Sequence, residues 1–356
     1  MDNDQPRSIE LALQGGGAHG AFTWGVLDRF LADERVHIEG LSGTSAGAMN
    51  AAVLAAGMQR GGRDGAREAL RKFWATISRA ALASPIQRTP LDMLLGRWTL
   101  DFSPGYLFLD HMSRTFSPYD LNPLDFNPLR DLLLKQVDFD HVNGPGAPKV
   151  FVAATNVRTG RRRIFRQPSI SADAVMASAC LPFLYKAVEI EGEAYWDGGY
   201  MGNPALFPLV DECDARDLVI VQINPMEREE VPRRARDILN RLNEITFNAS
   251  LIKDLRAIML LKELIDAEGL DRERYRDMLI HRIHAVDELK SLGVSSKMNA
   301  EWAFLQHLHD IGWRATERWL EANFESLGRK STFDLGFLAD DGLRPVRTKD
   351  DESQGS

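Results

Sequence analysis

Residues 38–52, with the sequence IEGLSGTSAGAMNAA, decide the fold class of this chain. They join a short apolar strand to the G-x-S-x-G motif of Gly43, Ser45 and Gly47, and a helix of small residues follows. A serine at such a sharp strand-to-helix turn projects its hydroxyl away from the backbone, and the helix dipole favours negative charge beside it. The stretch therefore predicts an α/β protein in which Ser45 is a candidate nucleophile, and the two glycines relieve crowding in the turn.

A glycine-rich loop, QGGGAHG, precedes this turn, between a strand pattern and a helical pattern within residues 9–31. Backbone N–H groups in such a loop can bind an anion. The spacing of Gly15, Gly17 and Gly20 matches a dinucleotide-binding loop, with Glu39 as a candidate ribose ligand. The same N–H groups would equally suit the oxyanion hole of an acyl transfer enzyme, or the glycines would serve only a tight turn.

A third motif, Asp197-Gly198-Gly199, follows the short apolar stretch at 194–196. In this order the three motifs resemble the patatin-like phospholipase family, which has a glycine-rich oxyanion loop, a G-x-S-x-G turn and a D-G-G or D-G-A segment. Residues 177–182, ASACLP, and the Asn203-Pro204 pair resemble two further segments of that family. The resemblance covers residues 9–225 clearly and the remainder loosely.

The resemblance implies a three-layer α/β/α sandwich with a mainly parallel sheet and a Ser-Asp dyad made of Ser45 and Asp197. It also implies an oxyanion hole built from backbone N–H groups of Gly15, Gly16, Gly17 and Ala46. The glycines that support the motifs are Gly20, Gly43, Gly47, Gly198 and Gly199.

A serine nucleophile needs a base, so a Ser-His-Asp triad is the alternative to the dyad. The candidate histidines downstream are His281, His284, His307 and His309. All four fall in predicted strands or helices, where packing or solvation explains them, whereas Asp197 lies in a glycine-flanked loop. We therefore expect Asp197 to be the base. His19 would either hold the glycine loop in place or favour an anionic headgroup, and the family often has Arg or Lys at that position.

Composition limits the function classes. The chain has 356 residues, a net charge of −8 and a pI near 5.6, which argues against nucleic-acid binding and against holding anionic membranes by bulk charge. No apolar run approaches the about 20 residues of a transmembrane helix, and the start lacks a secretory pattern. Two cysteines suggest neither a metal site nor a disulfide framework. We expect a cytoplasmic protein without metal or cofactor, with export by a non-classical route left open.

The pattern of elements predicts five parts: a flexible N-terminus at 1–8, a catalytic core at 9–225, an insertion within it at 84–148, a mostly helical continuation at 226–328, and a disordered tail at 329–356. The insertion is rich in proline and in bulky apolar residues, among them Trp98 and Phe108. It would form a lid or the wall of an acyl pocket, or it would simply pack on the core.

The resemblance implies a serine esterase that cleaves phospholipids or lysophospholipids through an acyl intermediate on Ser45. Neutral glycerides and other esters are alternative substrates. The rival of a different class is a dinucleotide-binding protein that uses the glycine loop. The expected partners are a lipid or lysolipid substrate and a transient contact with a membrane surface, and the oligomeric state stays open.

Overall fold

A computed structural model describes residues 6–272, 274–290 and 292–341. The strands in this part of the chain are β1 (Arg7–Leu13), β2 (Val36–Gly43), β3 (Lys149–Asn156), β4 (Arg162–Arg166), β5 (Val188–Ile190), β6 (Glu193–Asp197), β7 (Asp217–Val221) and β8 (Leu279–Ile283). The helices are α1 (Gly20–Leu31), α2 (Ala46–Ala81), α3 (Pro90–Leu94), α4 (Pro104–Thr115), α5 (Pro118–Leu121), α6 (Pro128–Gln136), α7 (Phe139–Val142), α8 (Ala172–Ser178), α9 (Phe207–Glu212), α10 (Ala235–Glu268), α11 (Val286–Leu289) and α12 (Trp302–Asn323).

The strands form one mixed sheet with a parallel centre. β1 pairs in parallel with β2 and β7, β2 pairs in parallel with β3, and β7 pairs in parallel with β8. The antiparallel pairs lie around β3, which pairs with β4 and β6, and at β5, which pairs with β6. Helices lie in the chain between β1 and β2, between β2 and β3, and between β7 and β8, as connections between parallel neighbours require. The predicted mainly parallel α/β sheet is therefore confirmed.

Alternate side chains of the central strands pack into two separate cores. Leu11 and Leu13 of β1 face the core that α1, α2, α8 and α12 cover. Ala12, between them, faces a smaller core that contains residues of α9 and α10. Successive side chains of a strand point to opposite faces, so each face needs its own layer of helices. These two layers confirm the predicted α/β/α sandwich.

The pairing around β3 brings the two candidate catalytic segments together. On β3, β4 pairs over 151–155, β2 pairs over 149–152 and β6 pairs over 154–156. Because a strand has only two edges, β2 and β6 share the edge opposite β4, one after the other. β2 ends at Gly43 and β6 ends at Asp197, so the aspartate lies just beyond the strand that leads into the serine turn.

The structure corrects both ends of the expected organisation. β1 begins at Arg7, inside the stretch expected to be flexible, because this backbone pairs with β2 and its N–H donates to Arg35 O. At the C-terminal end, Phe333 and Leu338 are buried in the smaller core, so residues up to 341 are not a disordered tail. Burial of two large apolar side chains stabilises this segment. Residues 1–5 and 342–356 lie outside the described residues.

The part after residue 225 extends the same sheet. β8 pairs with β7 over five residue pairs, and α12 packs against α1 on the larger core. None of the helices in the described part of the chain is long and apolar enough to cross a bilayer.

The insertion at 84–148 consists of short helices, α3 to α7. Four of them begin with proline directly after a side chain that caps the helix, which fits the preference of proline for the first helical turn. The capping residues are Thr89, Ser103, Ser117 and Asn127. The prolines thus divide the insertion into short helices, and each of these four helices begins at a proline.

Candidate active site

Ser45 lies at the sharp turn between β2 and α2. Its backbone adopts φ 54° and ψ −121°, a conformation that L-residues rarely take and that is found where structure overrides local preference. Its N–H donates to Ser178 Oγ at 2.9 Å. A Cβ on Gly47 would lie 2.3 Å from Leu13 O, and a Cβ on Gly43 would lie 2.5 Å from Gly47 O. Only glycine therefore fits on either side of the serine.

The glycine loop packs directly against this turn. A Cβ on Gly15 would lie 2.8 Å from Ser45 Cβ, and a Cβ on Gly20 would lie 2.6 Å from Ala46 Cβ. Gly17 has φ +58°, which glycine adopts without strain. The glycine loop thus packs closely against the serine turn. An oxyanion hole requires this contact with the nucleophile, whereas a dinucleotide-binding loop does not require it.

The backbone donors of the loop differ in availability. The N–H of Gly15 donates to Asn203 Oδ1 at 2.7 Å, so it is not free for a ligand. Among the described residues, no hydrogen bond engages the N–H groups of Gly16, Gly17 or Ala46. The expectation that Gly15 is a donor is therefore corrected: Gly16, Gly17 and Ala46 are the candidate donors.

Buried amides hold the loop in place. Gln14 Oε1 accepts the N–H groups of Ile223 and Asn224, each at 2.9 Å, and Gln14 Nε2 donates to Asn248 Oδ1 at 3.0 Å. Asn224 Nδ2 donates to Gly15 O at 3.0 Å. Satisfied buried networks of this kind rigidify a site.

Asp197 is buried and close to the serine. Its side chain is 2% exposed and accepts the N–H of Gly199 at 2.6 Å. Burial raises the pKa of Asp197 to about 7, while the Gly199 N–H, the Ser45 hydroxyl and the charge of Lys297 act to lower it.

The two glycines after Asp197 permit a close approach. A Cβ on Gly198 would lie 2.0 Å from Ala153 O, and a Cβ on Gly199 would lie 2.1 Å from the ring of Phe247. The D-G-G segment is thus explained by packing on β3 and on α10. Phe247 itself carries no signal in the sequence that would connect it to this site.

The histidines take structural positions. His281 contacts Asp217 at 2.9 Å near the start of β7, whereas the serine turn follows the end of β2. His309 contacts Asp28 at 3.0 Å. In the described part of the chain, no histidine hydrogen-bonds to Ser45 or Asp197.

His19 anchors the glycine loop rather than carrying charge. Its Nε2 lies 2.8 Å from Ser296 Oγ, and the residue is 4% exposed. Burial, and next the nearby charge of Lys297, lower the pKa of His19 to about 3, so the ring is neutral near pH 7. The alternative that His19 favours an anionic headgroup is therefore not supported.

Lys297 is the charged residue of this site that sequence reasoning missed. It lies in a short 3-10 turn, Val294–Met298, and its Nζ donates to Asn224 Oδ1 at 2.7 Å. Burial lowers the pKa of Lys297 to about 8. No local motif distinguishes this lysine, because more than 250 residues separate it from the loop that it contacts.

An open cleft of about 650 Å³ lies beside Asp197. Its walls include Thr155, Trp196 and Tyr200, which are close to Asp197 in the chain or bonded to it, and residues 113–118 of the insertion. Neither Ser45 nor Asp197 itself lines this cleft. Thr155 Oγ1 donates to Asp197 O at 2.8 Å, which connects the cleft wall to the aspartate. Apolar clefts of this size suit small-molecule and lipid ligands.

Comparison with known proteins identifies the family. The family model of the patatin-like phospholipases matches residues 11–210, which is more than half of the chain. No curated protein matches the chain significantly. VipD from Legionella pneumophila is 17% identical, with a TM-score of 0.34 and coverage of 86% of this chain and 67% of VipD. A chain of the ExoU–SpcU heterodimer from the type III secretion system of Pseudomonas aeruginosa is 18% identical, with a TM-score of 0.30 and coverage of 94% and 74%.

The residues matched by the family model include the glycine loop, the serine turn and the D-G-G segment. The match begins within β1, at residue 11. The assignment rests on this match. The chain belongs to the patatin-like phospholipase family and is a hydrolase.

Proposed function

We propose that this protein hydrolyses carboxylic esters of phospholipids or lysophospholipids, with Ser45 as nucleophile and Asp197 as general base. The observation that carries the proposal is the strained serine at the turn, directly beside a buried carboxyl group that interacts with its hydroxyl. A nucleophile within reach of an oriented base is the arrangement that covalent catalysis needs.

In the proposed reaction, Ser45 Oγ attacks the ester carbonyl carbon while Asp197 takes the hydroxyl proton. The oxyanion that forms accepts hydrogen bonds from the N–H groups of Gly16, Gly17 and Ala46. Asp197 then passes the proton to the leaving alcohol, which leaves an acyl group on Ser45. Finally, Asp197 takes a proton from water, the hydroxide equivalent attacks the acyl-enzyme, and the fatty acid departs as Ser45 regains its proton.

Burial supports the role of Asp197 as a base without histidine. An ordinary aspartate, with a pKa of about 3.9, is a weak base. A pKa raised to about 7 makes the carboxylate a stronger base that is still largely ionised just above neutral pH. The weakness of a lone aspartate, the main chemical objection to a dyad, is thereby reduced.

The cleft beside Asp197 supports a lipid substrate. Phe116, Pro182, Phe183 and Trp196 give its wall an apolar character. Members of this family act on lipids, and we propose that a phospholipid or lysophospholipid acyl chain occupies this cleft during transient contact with a membrane surface. Neutral glycerides would fit the same apolar wall, so the choice between these ester classes is left to experiment.

Labelling with a fluorophosphonate tests the nucleophile. Wild type should be labelled and Ser45→Ala should not, because only an activated serine reacts. Ser169→Ala removes an exposed serine and serves as the matched control, which should label like wild type. Equal labelling of Ser45→Ala and wild type would refute the proposed role of Ser45.

A lipid panel tests the substrate class. Wild type and Ser45→Ala would be incubated with phosphatidylcholine, lysophosphatidylcholine and triglyceride, and released fatty acid would be measured by mass spectrometry. We expect Ser45-dependent release from one of the two phospholipids. Release from triglyceride alone would replace the proposed substrate class while leaving the esterase mechanism intact.

A further inference from the structure

We propose that Lys297 is a positioning residue of this active site, fixed beside the glycine loop so that its positive charge keeps Asp197 ionised as the base. The inference rests on the proposed function of Asp197. Nothing in the motifs of the chain assigns a role to Lys297, which lies far beyond the D-G-G segment.

Two contacts fix Lys297 against the glycine loop. Its Nζ donates to Asn224 Oδ1 at 2.7 Å, and Asn224 Nδ2 donates in turn to Gly15 O at 3.0 Å. Its backbone carbonyl oxygen lies 2.5 Å from the position that a Cβ on Gly17 would occupy. The side chain and the backbone of Lys297 are therefore both tied to the loop that packs on Ser45, and its charge has a defined place.

In the described part of the chain, the other ionisable groups of this site that we compare with Lys297 do not supply a positive charge. His19, the basic residue of the glycine loop, is neutral near pH 7 because its burial depresses its pKa. Burial raises the pKa of Cys180 to about 12 and also raises the pKa of Tyr200, so both are neutral. The charge of Lys297, in contrast, lowers the pKa of Asp197.

The acidic group that faces Lys297 from α10 is already engaged. Glu244 accepts from Arg228 Nη2 at 2.6 Å and from Arg241 Nη1 at 3.1 Å. The charge of Arg228 lowers the pKa of Lys297, while the charges of Glu244 and Asp197 raise it. Glu244 is thus shared among two arginines and Lys297, and the charge of Lys297 acts on Glu244 as well as on Asp197.

Lys297 and Asp197 shift the pKa of each other in the directions that this role requires. The pKa of Lys297 is lowered to about 8 and that of Asp197 is raised to about 7. The charge of Asp197 raises the pKa of Lys297, and the charge of Lys297 lowers the pKa of Asp197, so each group favours the ionised form of the other. A nearby positive charge stabilises a carboxylate most where both groups are charged, which here is near neutral pH.

The test is the pH profile of fluorophosphonate labelling at Ser45, which needs no knowledge of the natural substrate. Lys297→Gln keeps an amide that can donate to Asn224 but removes the charge, and Lys297→Met removes both. In both variants we expect the acid limb of the labelling rate to move up by about half a pH unit or more. Lys297→Arg should keep the wild-type limb. Lys290→Gln, at an exposed lysine seven residues earlier in the chain, is the matched control and should also keep it.

The outcomes separate this inference from the proposed function. An unchanged acid limb in a folded Lys297→Gln variant would show that Lys297 only packs, and would overturn the inference. If Lys297→Met fails to fold, the Gln variant carries the test; if neither folds, the charge is a structural requirement and the inference is likewise overturned. Undiminished labelling of Ser45→Ala would refute the proposed function instead, whatever the lysine variants do.

Discussion

Two residues with unusual local environments meet at the site. Ser45 has a positive φ, which is unfavourable for a residue with a side chain. The carboxyl group of Asp197 is buried, which disfavours its charged form. Each is costly alone, by about 1–3 kcal/mol for such a backbone conformation. The surrounding glycines leave space for the Ser45 turn, and the Gly199 N–H donates a hydrogen bond to the buried Asp197 carboxyl group. Backbone strain and perturbed pKa values of this kind cluster at functional sites.

We predict that Asp197→Asn lowers ester hydrolysis by about 10²–10⁴, since the amide keeps the shape and removes the base. In wild type, activity should fall as the pH drops below about 7, because protonation of Asp197 removes the same base. Hydrolysis of a soluble short-chain ester, measured across this range, checks both statements. Full activity of Asp197→Asn would contradict the dyad.

Histidine variants are the control for that experiment. His281 and His309 pair with Asp217 and Asp28, away from Ser45, so their replacement by Gln should leave activity within about tenfold when folding is intact. A histidine variant as inactive as Ser45→Ala, with an unchanged melting temperature, would replace the dyad with a triad.

At the scale of elements, the insertion contains two kinds of aromatic residue. Trp98 packs on Phe304 with ring centres 5.1 Å apart and stacks on His307 at 5.8 Å, so it holds the insertion to α12. Phe108 of α4 is 67% exposed, and Phe116 is 46% exposed and lines the cleft. Trp98 and Phe108, which look alike in the sequence, are therefore expected to act differently.

We predict that Phe108→Ser and Phe116→Ser reduce activity on phospholipid vesicles more than activity on a soluble ester. The reason is that exposed apolar side chains near the cleft add affinity for a lipid surface and do little for the folded core. Vesicle and soluble-ester assays of the same preparations would measure the ratio.

The control for these variants is Trp98→Ser, which should lower the melting temperature and both activities together because it removes packing. Equal losses on both substrates in the Phe108 and Phe116 variants, with a lower melting temperature, would show that these residues also serve only to pack the insertion.

At the scale of the whole molecule, one buried carboxyl group in the sheet couples stability to pH. Glu10 of β1 is fully buried, and among the described residues neither of its side-chain oxygens has a hydrogen-bond partner. Burial, and next the charge of Glu39, raise the pKa of Glu10 from 4.5 to about 8. The native state therefore binds this proton more tightly than the unfolded chain, and the stability it contributes is lost as pH rises from about 4.5 through about 8.

We predict that Glu10→Gln becomes more stable relative to wild type as the pH rises, because the amide cannot ionise in the buried site. Thermal melting at about pH 6 and about pH 9 would measure the change. Glu34→Gln, at an exposed position, is the control and should follow wild type. A melting-temperature difference between Glu10→Gln and wild type that does not change with pH would contradict the prediction.

Much of the fold was accessible from the sequence because its signals are local. The alternating layers, the strand before Ser45 and the hairpin of β3 and β4 follow from periodicity and turn chemistry over short windows. The three motifs and their order led to the family, which the family model confirms. The expectation of a disordered tail from residue 329 was wrong for the described residues, because two apolar side chains in this otherwise polar stretch, Phe333 and Leu338, are buried in the smaller core.

For the candidate site too, local motifs were readable from the sequence, whereas long-range contacts were not. The sequence by itself determined which residues are candidates at the serine turn, the glycine loop and the D-G-G segment, since each motif needs glycine for a steric reason that acts within a few residues. Only the tertiary structure decided that Asn203 occupies the Gly15 N–H, that His19 is neutral, and that Lys297 lies beside the loop. Hydrogen bonding, burial and charge depend on neighbours that the folded sheet brings together. These neighbours are far apart in the sequence, so no local sequence pattern reveals them.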